Sequence, residues 1–191
     1  MLAQTRAEVR AGQPAPADSD PRITWLPLGL SDTPALLRAA QGAQVVVHAL
    51  NPRQYTDAAW TAEAPALLDT TLQLAHALGA TLMMPGNVYN YGTQLPEHLC
   101  EDTPQTPDHT KARVRVAMEQ RLQQAANEKG VRSIVIRAGD FFGQGQGSWL
   151  DLVIAKQLQR GTVTLPGPRD VPHAWAYLPD LAAAFVRVAE I

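Results

Sequence analysis

Two basic side chains and one acidic side chain are spaced so that they share one face of a predicted helix. Lys111, Arg115 and Glu119 follow one another at four-residue intervals, and residues four apart lie on the same side of an α-helix. The two cations could grip a ligand, and Lys111 could also transfer a proton. Arg115 cannot act as a base, because a guanidinium keeps its proton near neutral pH. The alternative is a solvated face on which Arg115 pairs with Glu119.

A second group of chemically useful side chains begins at Asn87. Asn87 can donate and accept hydrogen bonds, so it could polarise a carbonyl, but it cannot relay a proton as a hydroxyl does. Tyr89 and Tyr91 follow in the same segment and are further candidates for proton transfer. No metal site is predicted, since no histidine pairs with another histidine or cysteine at zinc spacing.

Alternating strands and helices must position these side chains. Apolar, β-branched runs predict strands, and helically spaced apolar residues between capping residues predict helices. The predicted strands are residues 23–28, 45–50, 80–84, 131–137 and, as a short strand, 162–167. The predicted helices are residues 31–42, 61–79, 108–130, 149–161 and 178–191, with Asp108 as the N-cap of the third. This alternation predicts a single α/β domain over residues 1–191 with a mainly parallel sheet.

The sheet predicts where a ligand would bind. Open parallel sheets bind ligands beyond the carboxyl ends of their strands. The loops after strands 45–50, 80–84 and 131–137 should therefore form the site. The glycines at 143, 145 and 147 do not form a dinucleotide fingerprint, because residues 138–142 separate them from the strand and the fingerprint turns directly from strand to helix. They predict a loop over the site instead.

Composition excludes several classes of function. The chain is 46% hydrophobic and 18% charged with a formal net charge of −2, which is ordinary for a globular protein and gives no basic surface for nucleic acid. No apolar run approaches the ~20 residues of a membrane helix, so no membrane partner is predicted. The single cysteine, Cys100, cannot form an internal disulfide, which predicts a cytoplasmic location.

Five collinear segments, from about Ile23 to the C-terminus, resemble the extended short-chain dehydrogenase/reductases. They are VVVHALNP, MPGNVYNYG, EDTPQTPDHTKARVRVAMEQRL, VIRAGDFFGQGQG and HAWAYLPDLAAAFVRV. The chain is most similar to the atypical subgroup of the epimerase/dehydratase-like branch. The resemblance implies a Rossmann-like three-layer domain, NAD or NADP as cofactor, and a small-molecule substrate such as a nucleotide sugar.

The chain departs from this family at its start. The family begins with a strand and a TGxxGxxG turn that lays the cofactor pyrophosphate on a helix N-terminus, and nothing before Ile23 resembles that unit. The first βα unit is therefore expected to be missing, and the chain is expected to be incomplete at its N-terminus and before the end of the family's C-terminal region. As written, it is expected to bind NAD or NADP weakly or not at all.

The family's reaction uses a Tyr and a Lys four residues later, and neither alignment of this helix supplies that pair. Anchored on Glu119, the two positions hold Lys111 and Arg115; anchored on Lys111, the Tyr position holds Pro107. We prefer the first alignment because it preserves the helix register. The catalytic residues that the resemblance implies are Asn87, Tyr91, Lys111 and Arg115. The implied cofactor contacts are Ala49, Leu50, Asn51, Arg115, Ala138, Gly139, Asp140 and Phe141.

The sequence therefore predicts an NAD(P)-dependent oxidoreductase or a sugar-nucleotide epimerase/dehydratase in which the Tyr-x-x-x-Lys pair is replaced. The complete protein is expected to be an enzyme, and this chain alone is expected to be inactive. The alternative is a non-catalytic Rossmann-like domain that senses a nucleotide or binds a protein. The resemblance also implies a homodimer formed through helices 61–79 and 108–130.

Overall fold

The computed structural model describes the backbone of residues 6–9 and describes residues 20–143, 147–165 and 167–191 in full. The strands of these residues are β1 (Arg6–Val9), β2 (Ile23–Leu26), β3 (Val45–Val47), β4 (Thr81–Asn87), β5 (Ser133–Ala138), β6 (Asp140–Phe142) and β7 (Trp175–Tyr177). The α-helices are α1 (Thr33–Ala39), α2 (Asp57–Leu78), α3 (Thr110–Lys129) and α4 (Leu178–Ala189). No described helix is long and apolar enough to cross a membrane.

All described strand pairs are parallel, as predicted. The strands form three ladders: β1 with β2, β3 with β4 and β5, and β6 with β7. The prediction that residues 23–28 belong to one sheet with 45–50 is wrong for the described strands, because β2 pairs with β1. Among the described residues, no strand joins the ladder of β1 and β2 to the ladder of β3, β4 and β5, so the sheet is broken between them.

The core lies between two long helices and the central ladder. Helices α2 and α3 pack against each other and against one face of β4 and β5. Leu68 of α2, Leu82 of β4 and Leu122 of α3 are 0%, 0% and 2% exposed. Burial of each such side chain contributes roughly 1.5–3 kcal/mol. This packing fixes the two helices relative to the carboxyl ends of the strands.

Local capping sets where the helices begin and end. Helix α2 begins four residues earlier than predicted because the hydroxyl of Thr56 accepts a hydrogen bond from the Ala59 amide at 3.2 Å. The left-handed backbone of Gly79 and Gly130 ends α2 and α3. Asp32 caps α1, because its carboxylate accepts a hydrogen bond from the Ala35 amide at 3.1 Å.

The predicted N-cap of α3 is wrong. His109 holds the cap position and its side chain makes no capping bond. The carboxylate of Asp108 instead accepts from the amide of Thr93 at 2.8 Å and contacts the His109 ring at 2.9 Å. These bonds lower the pKa of Asp108. Asp108 therefore holds the loop that precedes α3 and leaves the helix start uncapped.

The predicted helix 149–161 and strand 162–167 are also wrong. Residues 149–161 form a short π-helical turn (Leu150–Ile154) and a 3-10 turn (Leu158–Arg160), and residues 162–165 form no strand. Leu152 and Leu158 remain 60% and 58% exposed. A helix draws most of its stability from packing an apolar face, and these residues find no such packing in the described structure.

Candidate functional site

Two of the predicted site segments meet at the carboxyl edge of the central ladder. Strand β4 extends beyond the predicted 80–84 as far as Asn87, and Asn87 lies opposite Ala138 at the end of β5. Strand β3 ends at Val47. The predicted cofactor contacts that follow it therefore lie outside the strand, with Ala49 and Asn51 exposed and Leu50 half-buried.

Asn87 and Tyr91 both have structural partners. The side-chain carbonyl of Asn87, a residue that is 8% exposed, accepts from the Tyr89 amide at 2.8 Å and caps the 3-10 turn Val88–Tyr91. The phenol oxygen of Tyr91, a residue that is 3% exposed, accepts from Arg137 at 2.8 Å. The two side chains therefore shape the turn at the end of β4.

Glu119 is bound by residues outside its own helix. Its carboxylate accepts from Arg137 at 2.6 Å, from Asn90 at 2.7 Å and from Gln105 at 2.8 Å. The hydrogen bond to Glu119 raises the pKa of Arg137. The alternative in which Arg115 pairs with Glu119 on a solvated face is therefore wrong.

Lys111 is held by the first turn of α2 and by the loop before it. Its ammonium donates to the carboxylate of Asp57 at 2.6 Å and stands 4.5 Å from the centre of the Tyr55 ring. The hydrogen bond from Lys111 lowers the pKa of Asp57. Lys111 is therefore ion-paired with Asp57.

Arg115 is a half-buried cation at the same edge. Its guanidinium carbon lies 4.8 Å from the centre of the Trp60 ring, and its Nη1 reaches the Pro85 carbonyl oxygen at 3.5 Å. No described carboxylate lies within ion-pair distance of it. Burial lowers the pKa of Arg115, but an arginine side chain stays charged near neutral pH.

His48 follows β3 and is buried beside this cation. Its Nδ1 lies 2.9 Å from the hydroxyl of Thr71, and that hydroxyl donates to the Leu68 carbonyl at 2.9 Å. The ring therefore carries its proton on Nδ1, and the buried Nε2 has no hydrogen-bond partner among the described residues. Burial first, and the charge of Arg115 second, lower the pKa of His48 to about 4. His48 is neutral at physiological pH.

Asp140 joins the turn after β4 to the segment before β7. The Tyr89 phenol donates to Asp140 at 2.6 Å, and the His173 ring nitrogen lies 2.9 Å from the other carboxylate oxygen. Burial first, then the hydrogen bond to Asp140, raise the pKa of Tyr89. Tyr89 therefore keeps its proton at physiological pH.

The remaining predicted cofactor contacts lie where β5 passes into β6. Gly139 makes room for the neighbouring chain, because a Cβ at this position would lie 2.0 Å from the Ala174 carbonyl oxygen. Phe141 is half-buried in β6, opposite Ala176 of β7. The close approach of these two strands brings His173 to Asp140.

Three residues of the site escaped the sequence analysis. Tyr55 contacts Lys111, and Trp60 contacts Arg115. Tyr55 could have been found from the sequence, because it lies in the loop that follows β3, and ligands of open parallel sheets bind beyond the carboxyl ends of the strands. His173 gave no signal, because it is 33 positions from Asp140. The described residues contain no group of three or more His, Cys, Asp or Glu side chains that could hold a metal ion.

A cavity of about 470 Å³ lies elsewhere in the molecule. It is lined by Val45, Thr81 and Arg132, near the amino ends of β3, β4 and β5, and by the end of α4. Ligands of open parallel sheets bind at the opposite, carboxyl end of the strands. The cavity is therefore separate from the candidate site.

Several solved structures share this fold. The dTDP-glucose 4,6-dehydratase DesIV of Streptomyces venezuelae, a double mutant with NAD bound, has a TM-score of 0.77 and 19% identity, over 99% of this chain and 64% of its own. The UDP-glucuronic acid 4-epimerase of Bacillus cereus, in complex with UDP-glucuronic acid and NAD, has a TM-score of 0.75 and 15% identity, and the match covers 90% of this chain and 57% of that chain. The UDP-glucose 4-epimerase of Brucella ovis, in complex with NAD, has a TM-score of 0.70 and 15% identity, and the match covers 87% of this chain and 59% of that chain. The chain thus spans less than two thirds of each.

The family comparison covers nearly the whole chain. No curated protein matches the sequence, but residues 3–191 match the family described as the NAD dependent epimerase/dehydratase family. The parallel ladders and the helices packed on them agree with the fold of the similar structures. The chain therefore belongs to the NAD dependent epimerase/dehydratase family.

Proposed function

We propose that this chain provides the nicotinamide and substrate side of an NAD(P)-dependent oxidoreductase or epimerase/dehydratase that acts on a nucleotide sugar. The observation that carries the proposal is the pair of cations, Lys111 and Arg115, one helical turn apart at the carboxyl edge, and the preferred sequence alignment assigns these two positions to the family's Tyr and Lys. Family membership and the NAD and UDP-glucuronic acid of the similar structures support it.

The residues at the carboxyl edge fit one half of the cofactor. The guanidinium of Arg115 has N–H groups available for ribose hydroxyls. When bound, the nicotinamide supplies a hydride acceptor. The pyrophosphate half has no comparable place among the described residues. Helix α1 has an acidic cap, since Asp32 accepts from the Ala35 amide at 3.1 Å, and a carboxylate there repels a phosphate.

Oxidation of a substrate hydroxyl also requires a group that accepts its proton. Tyr89 holds its own proton and Lys111 is ion-paired. Tyr55 is 58% exposed, lies against Lys111 and interacts electrostatically with Arg115. We assign the proton-accepting role to Tyr55, whose ring lies against the Lys111 ammonium.

Binding of cofactor fragments tests the proposal. Nicotinamide mononucleotide and NAD should bind the chain with similar dissociation constants of about 1 mM, worth about 4 kcal/mol, because both would use the same half-site. Adenosine diphosphate should bind at least tenfold more weakly. Ligand-observed NMR can measure all three. Tighter binding of adenosine diphosphate than of nicotinamide mononucleotide, or no binding of either nicotinamide compound, would refute the proposal.

A second candidate is a non-catalytic, nucleotide-sensing domain. It is favoured by the raised pKa of Tyr89 and the ion pair of Lys111. Incubation with NAD and a panel of UDP- and dTDP-sugars separates the two candidates. An oxidoreductase should accumulate reduced nicotinamide, whereas a redox-neutral epimerase or dehydratase should convert the nucleotide sugar, and Tyr55→Phe should abolish either change while fragment binding stays unchanged. Binding without reduced nicotinamide and without conversion of any sugar would favour the sensing domain.

Two further expectations concern the assembled protein. We propose a homodimer through α2 and α3, which sedimentation equilibrium would detect as twice the monomer mass. We also expect a cytoplasmic location. Cys100 is exposed and unpaired, and a reducing compartment keeps such a thiol from forming intermolecular disulfides. A stable monomer at micromolar concentration would contradict the first expectation.

A further inference from the structure

Each carboxylate near the candidate site already has a partner within the protein. These partners matter because burying a charge is costly unless an opposite charge or a hydrogen bond compensates it. The pairs are Asp57 with Lys111, Glu119 with Arg137, and Asp140 with Tyr89 and His173. None of these carboxylates lies within ion-pair distance of Arg115.

Arg115 is the cation at this edge that makes no ion pair among the described residues, although the charge of Glu119 acts on it from beyond ion-pair distance. A guanidinium has five N–H donors in a planar fork, and the contacts of this one are a single 3.5 Å approach to the Pro85 carbonyl and the face of the Trp60 ring. The neighbouring His48 is neutral and does not compensate the charge of the guanidinium. The fork is half-buried, so water satisfies it only in part.

We infer that Arg115 binds an anionic group of the ligand, either a carboxylate or a phosphate. Both groups match the fork of a guanidinium with two parallel hydrogen bonds. The inference rests on the proposed function, because the ligand is taken to enter at the same carboxyl edge. It goes further by assigning two of the five N–H groups of Arg115 to a charged group of the ligand, which leaves the others for ribose hydroxyls.

Two matched pairs of probes distinguish the sources of the anion. Nicotinamide mononucleotide and nicotinamide riboside differ by one phosphate, whereas UDP-glucuronate and UDP-glucose differ by one carboxylate. We expect the chain to bind the member that carries the additional anionic group about tenfold more tightly than the member that lacks it, in one of the two pairs. The pair that shows the preference identifies the group.

Three variants show whether Arg115 causes the preference. Arg115→Met should reduce it to less than twofold, and Arg115→Lys, which keeps the charge but loses the fork, should retain part of it. Arg113→Met is the matched control, because Arg113 is exposed on the same helix and its replacement makes the same change in net charge. It should leave the preference unchanged.

The possible outcomes separate this inference from the proposed function. Equal affinity within both pairs would leave nucleotide binding intact and overturn the inference, as would a preference that survives Arg115→Met. If no nucleotide binds, the proposed function fails and an NMR titration decides the inference. The side-chain Nε–Hε signal of Arg115 should then shift with phosphate or acetate and not with chloride at equal ionic strength. A signal that responds to none of them overturns the inference.

Discussion

Replacing Arg115 with methionine removes a charge that has no carboxylate partner and keeps an unbranched apolar stem. The ligand-free chain should become more stable. The effective cost of burying an ion is several kcal/mol, and a half-buried side chain such as Arg115 carries about half of it, about 2–3 kcal/mol. The contact with Trp60 offsets about 0.5–1 kcal/mol of this cost. The 3.5 Å contact with the Pro85 carbonyl offsets little of it.

The balance is a gain of about 1–2 kcal/mol in the free energy of unfolding for Arg115→Met. For a chain of 191 residues, this corresponds to a rise in Tm of about 2–8 °C. Urea denaturation should show a higher midpoint with an unchanged slope, because the surface exposed on unfolding is the same. A loss of more than about 1 kcal/mol would show that the guanidinium is satisfied within the protein, and the reasoning about its unpaired charge would fail.

Three further changes test the neighbouring contacts. Asp140→Asn removes the charged acceptor of the Tyr89 phenol and should lower the pKa of Tyr89 toward its usual range, which tyrosinate absorbance measures. Glu119→Gln leaves Arg137 without its carboxylate and should cost about 3 kcal/mol in urea denaturation. His48→Gln should flatten the pH dependence of stability. Because the pKa of His48 falls from 6.5 to about 4 on folding, its contribution of about 3 kcal/mol is complete above pH 6.5 and is lost as the pH falls toward 4.

Matched substitutions serve as controls for these changes. Asp69→Asn breaks the exposed ion pair with Arg121 and should cost less than about 1 kcal/mol. His76 is exposed, so His76→Gln should keep the pH dependence of the unchanged protein. An unaltered tyrosinate titration in Asp140→Asn would contradict the contact with Tyr89. Equal costs for Glu119→Gln and Asp69→Asn would contradict the special position of Glu119.

Local patterns predicted the elements that local physics determines. The β-branched run at Val45–Val47, the cap at Asp32 and the glycines that end α2 and α3 each act within a few residues of the chain. The parallel pairing of β3, β4 and β5 followed from the alternation of strands with helices. The neighbouring position of the segments after β4 and β5 followed from that pairing.

Partners that arrive from distant segments could not be predicted in the same way. The four-residue spacing placed Lys111, Arg115 and Glu119 on one face, but it could not show that Glu119 would bind Arg137, which comes from β5. The prediction of a helix over residues 149–161 was wrong for a related reason. The apolar residues of this segment have helical spacing, but the spacing does not show whether another element packs against them.

The break in the sheet has a consequence for the behaviour of the protein in solution. The peptide groups of β3 alternate in direction, and because the bonds of Gln44 and His48 are made to β4, those of Val45 and Val47 face the other edge. No described strand pairs with that edge, and the Val47 side chain is 52% exposed. An apolar edge with unsatisfied amides is a template for intermolecular strand pairing. Among the described residues, the outer edge of β3 is therefore the place where a further strand, from this chain or from another molecule, would find backbone groups to pair with.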